Sequence, residues 1–190
     1  MDEIAGVLCE NNGRRLVVIT GPPGYGKSCL AQAIGHTMLK KQFKVIFLCL
    51  REIKSVDKMS ANILLALNVC QGVANKQREL ALTRLTSLST KTILILDNAE
   101  DLITQQDTRQ KFYSFVDHVV MYAKNVKCVI ASRVSCPASC QTQRYPVELA
   151  ALENDAAAKL LQAKVKENTM LTLEDTDRKS VVWERVYVLV

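Results

Sequence analysis

Eight consecutive residues, Gly21-Pro22-Pro23-Gly24-Tyr25-Gly26-Lys27-Ser28, have the types and spacing needed to grip a polyphosphate. Glycine tolerates the backbone angles of a tight turn, so successive N–H groups can point inward at an anion. A helix beginning near Lys27 adds the positive end of its dipole. The Lys27 ammonium can reach β- and γ-phosphates, and the Ser28 hydroxyl can ligate a magnesium ion that bridges them. Cys29 closes the candidate binding stretch. A Gly-Pro-rich segment can also be a plain turn. That reading does not explain why Lys-Ser follows at once, between an apolar strand and an amphipathic helix.

A second element is Thr92-Ile93-Leu94-Ile95-Leu96-Asp97, an apolar run ending in an aspartate. Buried on both faces, such a strand delivers Asp97 at its C-terminal end, the edge where open α/β sheets bind ligands. Asp97 then joins Ser28 as a magnesium-site residue, acting through a water. After it come Asn98, Ala99, Glu100 and Asp101. Glu100 and Asp101 are the candidates for positioning or activating an attacking water; equally, they suit the first turn of a helix as solvated carboxylates. Many ATPases carry glutamate directly after the aspartate, whereas this chain has Asn98, so slow hydrolysis at most is expected. A third element, Cys128 to Arg133, is a buried strand ending in Ser132-Arg133. With that strand between the first and third, Arg133 emerges beside the phosphates, where a guanidinium can sense the γ-phosphate.

The elements that must position these residues follow from periodicity. Short apolar runs alternate with amphipathic stretches, which predicts βαβ units and a parallel sheet. Strands are expected at Leu16–Thr20, Lys44–Leu50, Thr92–Leu96, Val126–Ala131 and Tyr145–Leu149. Helices are expected at about Asp2–Glu10, from the phosphate loop to Lys41, through Met59–Cys70 and Leu80–Leu88, at Thr108–Ala123, and at Asp155–Lys166 with Asn154 as cap. The fold class is α/β, three-layered, with a five-stranded parallel sheet in the order 2-3-4-1-5. Residues 1–166 form one domain, and 167–190 a polar linker and tail. The last fourteen residues, Asp177–Val190, resemble the conceptual translation of a sequencing adapter, so the native sequence is expected to stop near Asp177. The competing reading is an added edge strand within Val181–Val190.

Bulk properties narrow the class. A chain of 190 residues, 48% of them apolar, can bury a real core. No apolar run approaches the roughly 20 residues of a membrane helix. The acidic start lacks a signal-peptide pattern, which points to the cytoplasm. Net charge is +6, but the Lys/Arg clusters are short and aromatics are only 5%, so nucleic acid is an unlikely partner on this reading. The seven cysteines are scattered and read as reduced thiols; Cys136 and Cys140 have no second pair to complete a zinc site.

With these elements together, the chain resembles the NB-ARC type of STAND ATPase, the switch module of immune receptors and apoptotic regulators. The resemblance rests on GPPGYGKSCLA at Gly21–Ala31, ILILDNAEDL at Ile93–Leu102, VIASR at Val129–Arg133 and YPVELAALENDAAAKLL at Tyr145–Leu161. It covers roughly Glu3 to Lys166. The first motif is generic to P-loop proteins; the strand-end arginine followed by the Leu149/Leu152 segment is more specific. The resemblance implies a P-loop core binding ATP or ADP with Mg2+, in which ADP holds a silent state and ATP opens an oligomerising one. It also implies signalling-protein partners or self-association. The family's adenine-contacting motif before the first helix, its winged-helix region with a nucleotide-sensing histidine, its effector domain and its repeat array have no counterpart here. The expectation is a fragment or truncated product, a phosphate grip without its lid. The alternative is an AAA+-type motor or loader acting on nucleic acid or protein. That class favours glutamate at position 98 and asparagine at the end of the fourth strand.

Overall fold

The structure is a computed structural model, and residues 2–10, 14–69, 76–134 and 144–151, with the backbone of 186–189, are described here. One compact unit runs to Leu149 and includes the strand at 186–189; a second, Ala150–Glu184, falls almost wholly outside the described residues. The helix expected at 155–166, the boundary at 166, Leu152, Cys70, Cys136 and Cys140 fall there too.

The chain enters through α1 (Asp2–Cys9) and β1 (Leu16–Thr20). Then come α2 (Lys27–Lys40), β2 (Lys44–Cys49), α3 (Val56–Ala66), α4 (Gln77–Thr86) and β3 (Thr92–Asp97). A short α5 (Glu100–Thr104) leads into α6 (Gln106–Tyr122), β4 (Val126–Ser132) and β5 (Arg144–Glu148). The sheet order is β5-β1-β4-β3-β2-β6. Its five parallel strands are those expected from periodicity, in the expected order 2-3-4-1-5. A sixth strand, β6 (Val186–Leu189), pairs antiparallel with β2, so the backbone at 186–189 takes the edge position left open for the tail.

The strands are apolar on both faces because helices cover both faces. Their side chains divide by alternation. Leu16, Val18, Ile46, Leu48, Leu94, Leu96, Cys128 and Ile130 pack toward α3, α4 and α6. Val17, Ile19, Val45, Phe47, Ile93, Ile95, Val129 and Ala131 pack toward α1 and α2. Three layers result. Gly35 lets α2 approach the sheet closely: a Cβ there would lie 3.2 Å from Ile95 Cδ1 and 3.4 Å from Val45 Cγ1. Ser55 caps α3, accepting a hydrogen bond from the Lys58 N–H at 3.2 Å. Cys128 is fully buried, and that burial pushes its thiol up to about 12, so it behaves as a small apolar core residue.

Candidate functional site: the carboxyl edge of the sheet

All five parallel strands end on one edge, and the candidate residues gather there. The loop Gly21–Gly26 leaves β1 and turns directly into α2. Gly24 and Gly26 take φ of 81° and 84°, the left-handed region that glycine enters without cost. Gly26 is the residue from which α2 starts, and no side chain caps the helix, so its first N–H groups stay open toward the loop. Gly21 is glycine for a different reason. A Cβ there would sit 2.9 Å from the Leu149 carbonyl oxygen and 3.1 Å from Leu149 Cβ. The Leu149 N–H donates to the Thr20 carbonyl at 2.8 Å, locking the end of β5 against the start of the loop.

Lys27 is 9% exposed. Its ammonium donates to the Gly21 carbonyl at 2.8 Å and the Pro22 carbonyl at 2.7 Å, which folds the side chain back over the loop. Pro22, Pro23, Tyr25 and Cys29 are exposed around it. Asp97 is 4% exposed and shares a side-chain hydrogen bond with Ser28. Positions 27–28 and 97 therefore lie on the same edge, as the polyphosphate reading requires. Burial raises the Asp97 carboxyl above the ordinary range; the Ser28 and Asn98 hydrogen bonds and the Arg51 charge oppose that, and the Glu100 charge adds to it.

Glu100 and Arg133 meet. Arg133 Nε lies 2.9 Å from Glu100 Oε1, and Asn98 Nδ2 donates to the same oxygen at 3.4 Å. The other Glu100 oxygen, Oε2, is buried without a hydrogen-bond partner among the described residues. Asn98 holds a left-handed φ of 57°, which turns the chain sharply out of β3. Asp101 faces elsewhere: its Oδ2 accepts the Glu52 N–H at 3.1 Å and braces the turn after β2. The structure thus brings together Lys27, Ser28, Asp97, Glu100 and Arg133, and it leaves Asp101 tied to the next loop. Sequence reasoning missed two participants. Leu149 limits what can stand at position 21, and Arg51 acts on Asp97. Arg51 is the second residue past β2, and β2 neighbours β3, so strand order alone could have flagged it.

These residues suit a magnesium-bound phosphate chain. Open backbone amides at the uncapped start of α2 lie beside one buried ammonium, a half-buried hydroxyl bonded to a buried carboxylate stands next to them, and Glu100 keeps an unspent acceptor. Ser28 and Asp97 would hold the ion. A cavity of about 570 Å³ lies instead along α6, lined by Tyr113, Asp117, His118 and Tyr122, and none of the phosphate-site residues lines it. An oligophosphate needs a turn of amides and not a deep cavity.

Fold and site together define a nucleotide-binding α/β protein with a P-loop NTPase-like fold. Residues 1–171 match the NB-ARC domain, and the chain belongs to that family. No curated protein matches the chain. Among solved structures, it is similar to the Aeropyrum pernix ORC1 protein in complex with DNA, with a TM-score of 0.70 at 15% identity, covering 87% of this chain and 48% of that one. It is similar to Cdc6p from Pyrobaculum aerophilum, with a TM-score of 0.67 at 17% identity, covering 87% and 47%. It is also similar to AMPPCP-bound DnaA from Aquifex aeolicus, with a TM-score of 0.52 at 22% identity, covering 93% and 54%. The chain thus spans about half the length of the structures it matches. Among the described residues no helix is long and apolar enough to cross a membrane.

Proposed function

We propose that this chain is the ATP/ADP-holding core of a nucleotide-dependent signalling switch, with slow hydrolysis at most. The observation that carries the reading is the contact of Arg133 with Glu100 beside the Ser28–Asp97 pair. A guanidinium held at that edge is placed to distinguish a chain with a γ-phosphate from one without it. Lys27 and the loop amides hold the phosphates common to ATP and ADP. Ser28 and Asp97 would hold a magnesium ion, which would supply positive charge against the phosphates. Arg133 adds an interaction that favours ATP alone. Binding that differs between two states shifts the population between them, which is all a switch requires.

Asn98 supports a switch over a rapid motor. A glutamate directly after the aspartate could activate water; Asn98 instead spends its amide on Glu100. Glu100 is in turn held by Arg133. Asp101 is occupied by the Glu52 backbone, which favours a bracing role over a catalytic one. The fold shared with ORC1 and DnaA keeps the loader reading as the alternative, and the expectation that nucleic acid is no partner draws no support from relatives of which one is a DNA complex. Cytoplasmic innate-immune or apoptotic signalling, with self-association or protein partners, is the setting that NB-ARC membership suggests.

The test is to purify the protein and identify the nucleotide that co-purifies. Retained ADP, released slowly and exchangeable for ATP, is the expected result. Rapid turnover with no retained nucleotide would overturn the switch in favour of a motor.

A further inference from the structure

The opposite edge of the sheet, where the strands begin, collects cations that are dispersed in the sequence. Arg14 and Arg15 precede β1, Lys41 precedes β2, Lys91 precedes β3 and Lys124 precedes β4. Lys44 and Lys127 stand at the entries to β2 and β4, and Lys40 ends α2. Hydrogen bonds show that these turns adjoin. The Lys44 N–H donates to the Lys91 carbonyl at 2.9 Å, the Thr92 N–H to the Asn125 carbonyl at 2.8 Å, and the Cys128 N–H to the Arg15 carbonyl at 2.8 Å. The carboxylates described at this edge are Glu10, at the end of α1, and Glu3, which accepts the Tyr145 hydroxyl.

The cations split into two kinds. Arg15 and Lys127 are half-buried and structural: Arg15 donates to the Ala123 and Val126 carbonyls, and Lys127 Nζ to the Glu10 carbonyl at 2.6 Å. Burial lowers the Lys127 ammonium below the usual lysine value, and the Arg15 and Lys91 charges work in the same direction. Like charges crowded at this edge cost free energy. The outer set, Arg14, Lys40, Lys41, Lys91 and Lys124, is exposed, with Lys44 half-buried. Arg14 lies over the Tyr145 ring at 5.6 Å and Lys91 over the Phe43 ring at 5.8 Å. None of the six has an ion-pair partner among the described residues.

From this we infer that the amino edge of the sheet binds the phosphate backbone of duplex nucleic acid, independently of base sequence. The dimensions agree. Strands β2, β3, β4 and β1 lie side by side, about 4.8 Å apart, so the band spans about 15 Å. A duplex presents one negative charge per about 1.7 Å of axis, roughly nine phosphates over that length. A duplex fits better than a single strand. Single strands need free aromatic faces for stacking, but Phe43 is 9% exposed, Arg14 lies over one face of the Tyr145 ring, and Tyr122, exposed beside Lys124, sets its ring against His118 with centroids 4.7 Å apart. This inference is independent of the nucleotide reading, because the two sites lie on opposite edges.

The test uses the 190-residue chain and a fluorescein-labelled, random-sequence 20-base-pair DNA duplex, followed by anisotropy across a salt series. About five phosphate contacts predict a slope of log K against log salt near −4.5, a loss of about 10²–10³-fold between 50 and 200 mM. The variant K41E/K91E/K124E should lose at least about 10-fold at 100 mM salt and flatten the slope, with binding of fluorescent ADP unchanged. Wild-type affinity that ignores salt, or a variant that binds the duplex as tightly as wild type, overturns the proposal. So does binding to polyglutamate or phosphatidylserine vesicles as tight as to the duplex. Loss of ADP binding with duplex binding intact would instead count against the nucleotide site alone.

Discussion

The two edges of this sheet use charge in opposite ways. At the carboxyl edge each buried charge has a partner: Lys27 on two carbonyls, Asp97 on Ser28, Glu100 on Arg133. At the amino edge the exposed lysines have no ion-pair partner among the described residues, and the half-buried pair, Arg15 and Lys127, serves the backbone. Buried charges are tolerated only when hydrogen-bonded or paired, so the first edge is preorganised and sensitive to single changes. Exposed charges cost little singly, so the second edge acts as a sum. The contrast predicts where one substitution will suffice and where three are needed.

Lys27→Ala should produce the largest effect. Removing an ammonium from a polyphosphate deletes charge-assisted hydrogen bonds worth about 3 kcal/mol, at least about 100-fold in ADP affinity. Isothermal titration with ADP checks it; affinity within a few-fold of wild type would break the contrast between the edges. Next in size is Gly21→Ala. Its Cβ would press on the Leu149 carbonyl at 2.9 Å from a φ of 154°, so backbone must move. A loss of about 2 kcal/mol is expected, which for a chain of this size lowers Tm by about 4–8 °C. An unchanged melting curve would mean that β5 does not brace the loop.

The carboxyl edge was legible in the sequence because its chemistry is contiguous. The phosphate loop is one run of eight residues, and Asp97 and Arg133 each close an apolar strand, so local pattern alone placed them. Short α5 was legible only as a helical first turn at Glu100 and Asp101, because five residues carry no periodicity, and the pairing of Glu100 with Arg133, a contact across thirty-three positions, was not legible at all. The amino edge was illegible for the same reason in reverse. Its lysines occur one or two at a time in separate turns, and each reads as an ordinary solvated charge. Only the parallel register makes them neighbours.

Arg133→Ala sharpens the comparison within the carboxyl edge itself. Arg133 is 53% exposed at its side chain while Glu100 is 16% exposed, so the arginine can leave more easily than the carboxylate. Its loss should weaken ATP by about 10-fold, near 1.4 kcal/mol, while ADP changes by less than about 2-fold. Equal losses for both nucleotides would remove γ-phosphate sensing from the proposed function and leave Arg133 as a structural partner of Glu100.

The smallest expected effect tests whether the carboxyl edge sacrifices stability for function. Burial raises the Asp97 carboxyl, so the folded state binds a proton more readily than the unfolded chain, whose ordinary value is 3.8. Stability from this group is therefore fully present below 3.8 and declines as pH rises through the raised folded value. At neutral pH the ionised carboxylate is a net cost. Asp97→Asn removes that cost, but its amide replaces the Ser28 and Asn98 hydrogen bonds imperfectly, which limits the gain to about 1 kcal/mol or less. In nucleotide-free protein the variant should melt at or slightly above wild type at pH 7, and the difference should shrink as pH falls toward 4. ATP binding by the same variant should no longer respond to magnesium. A variant that melts well below wild type at pH 7 would show that the Ser28–Asp97 pair holds the fold, and the two edges would then differ in strength and not in purpose.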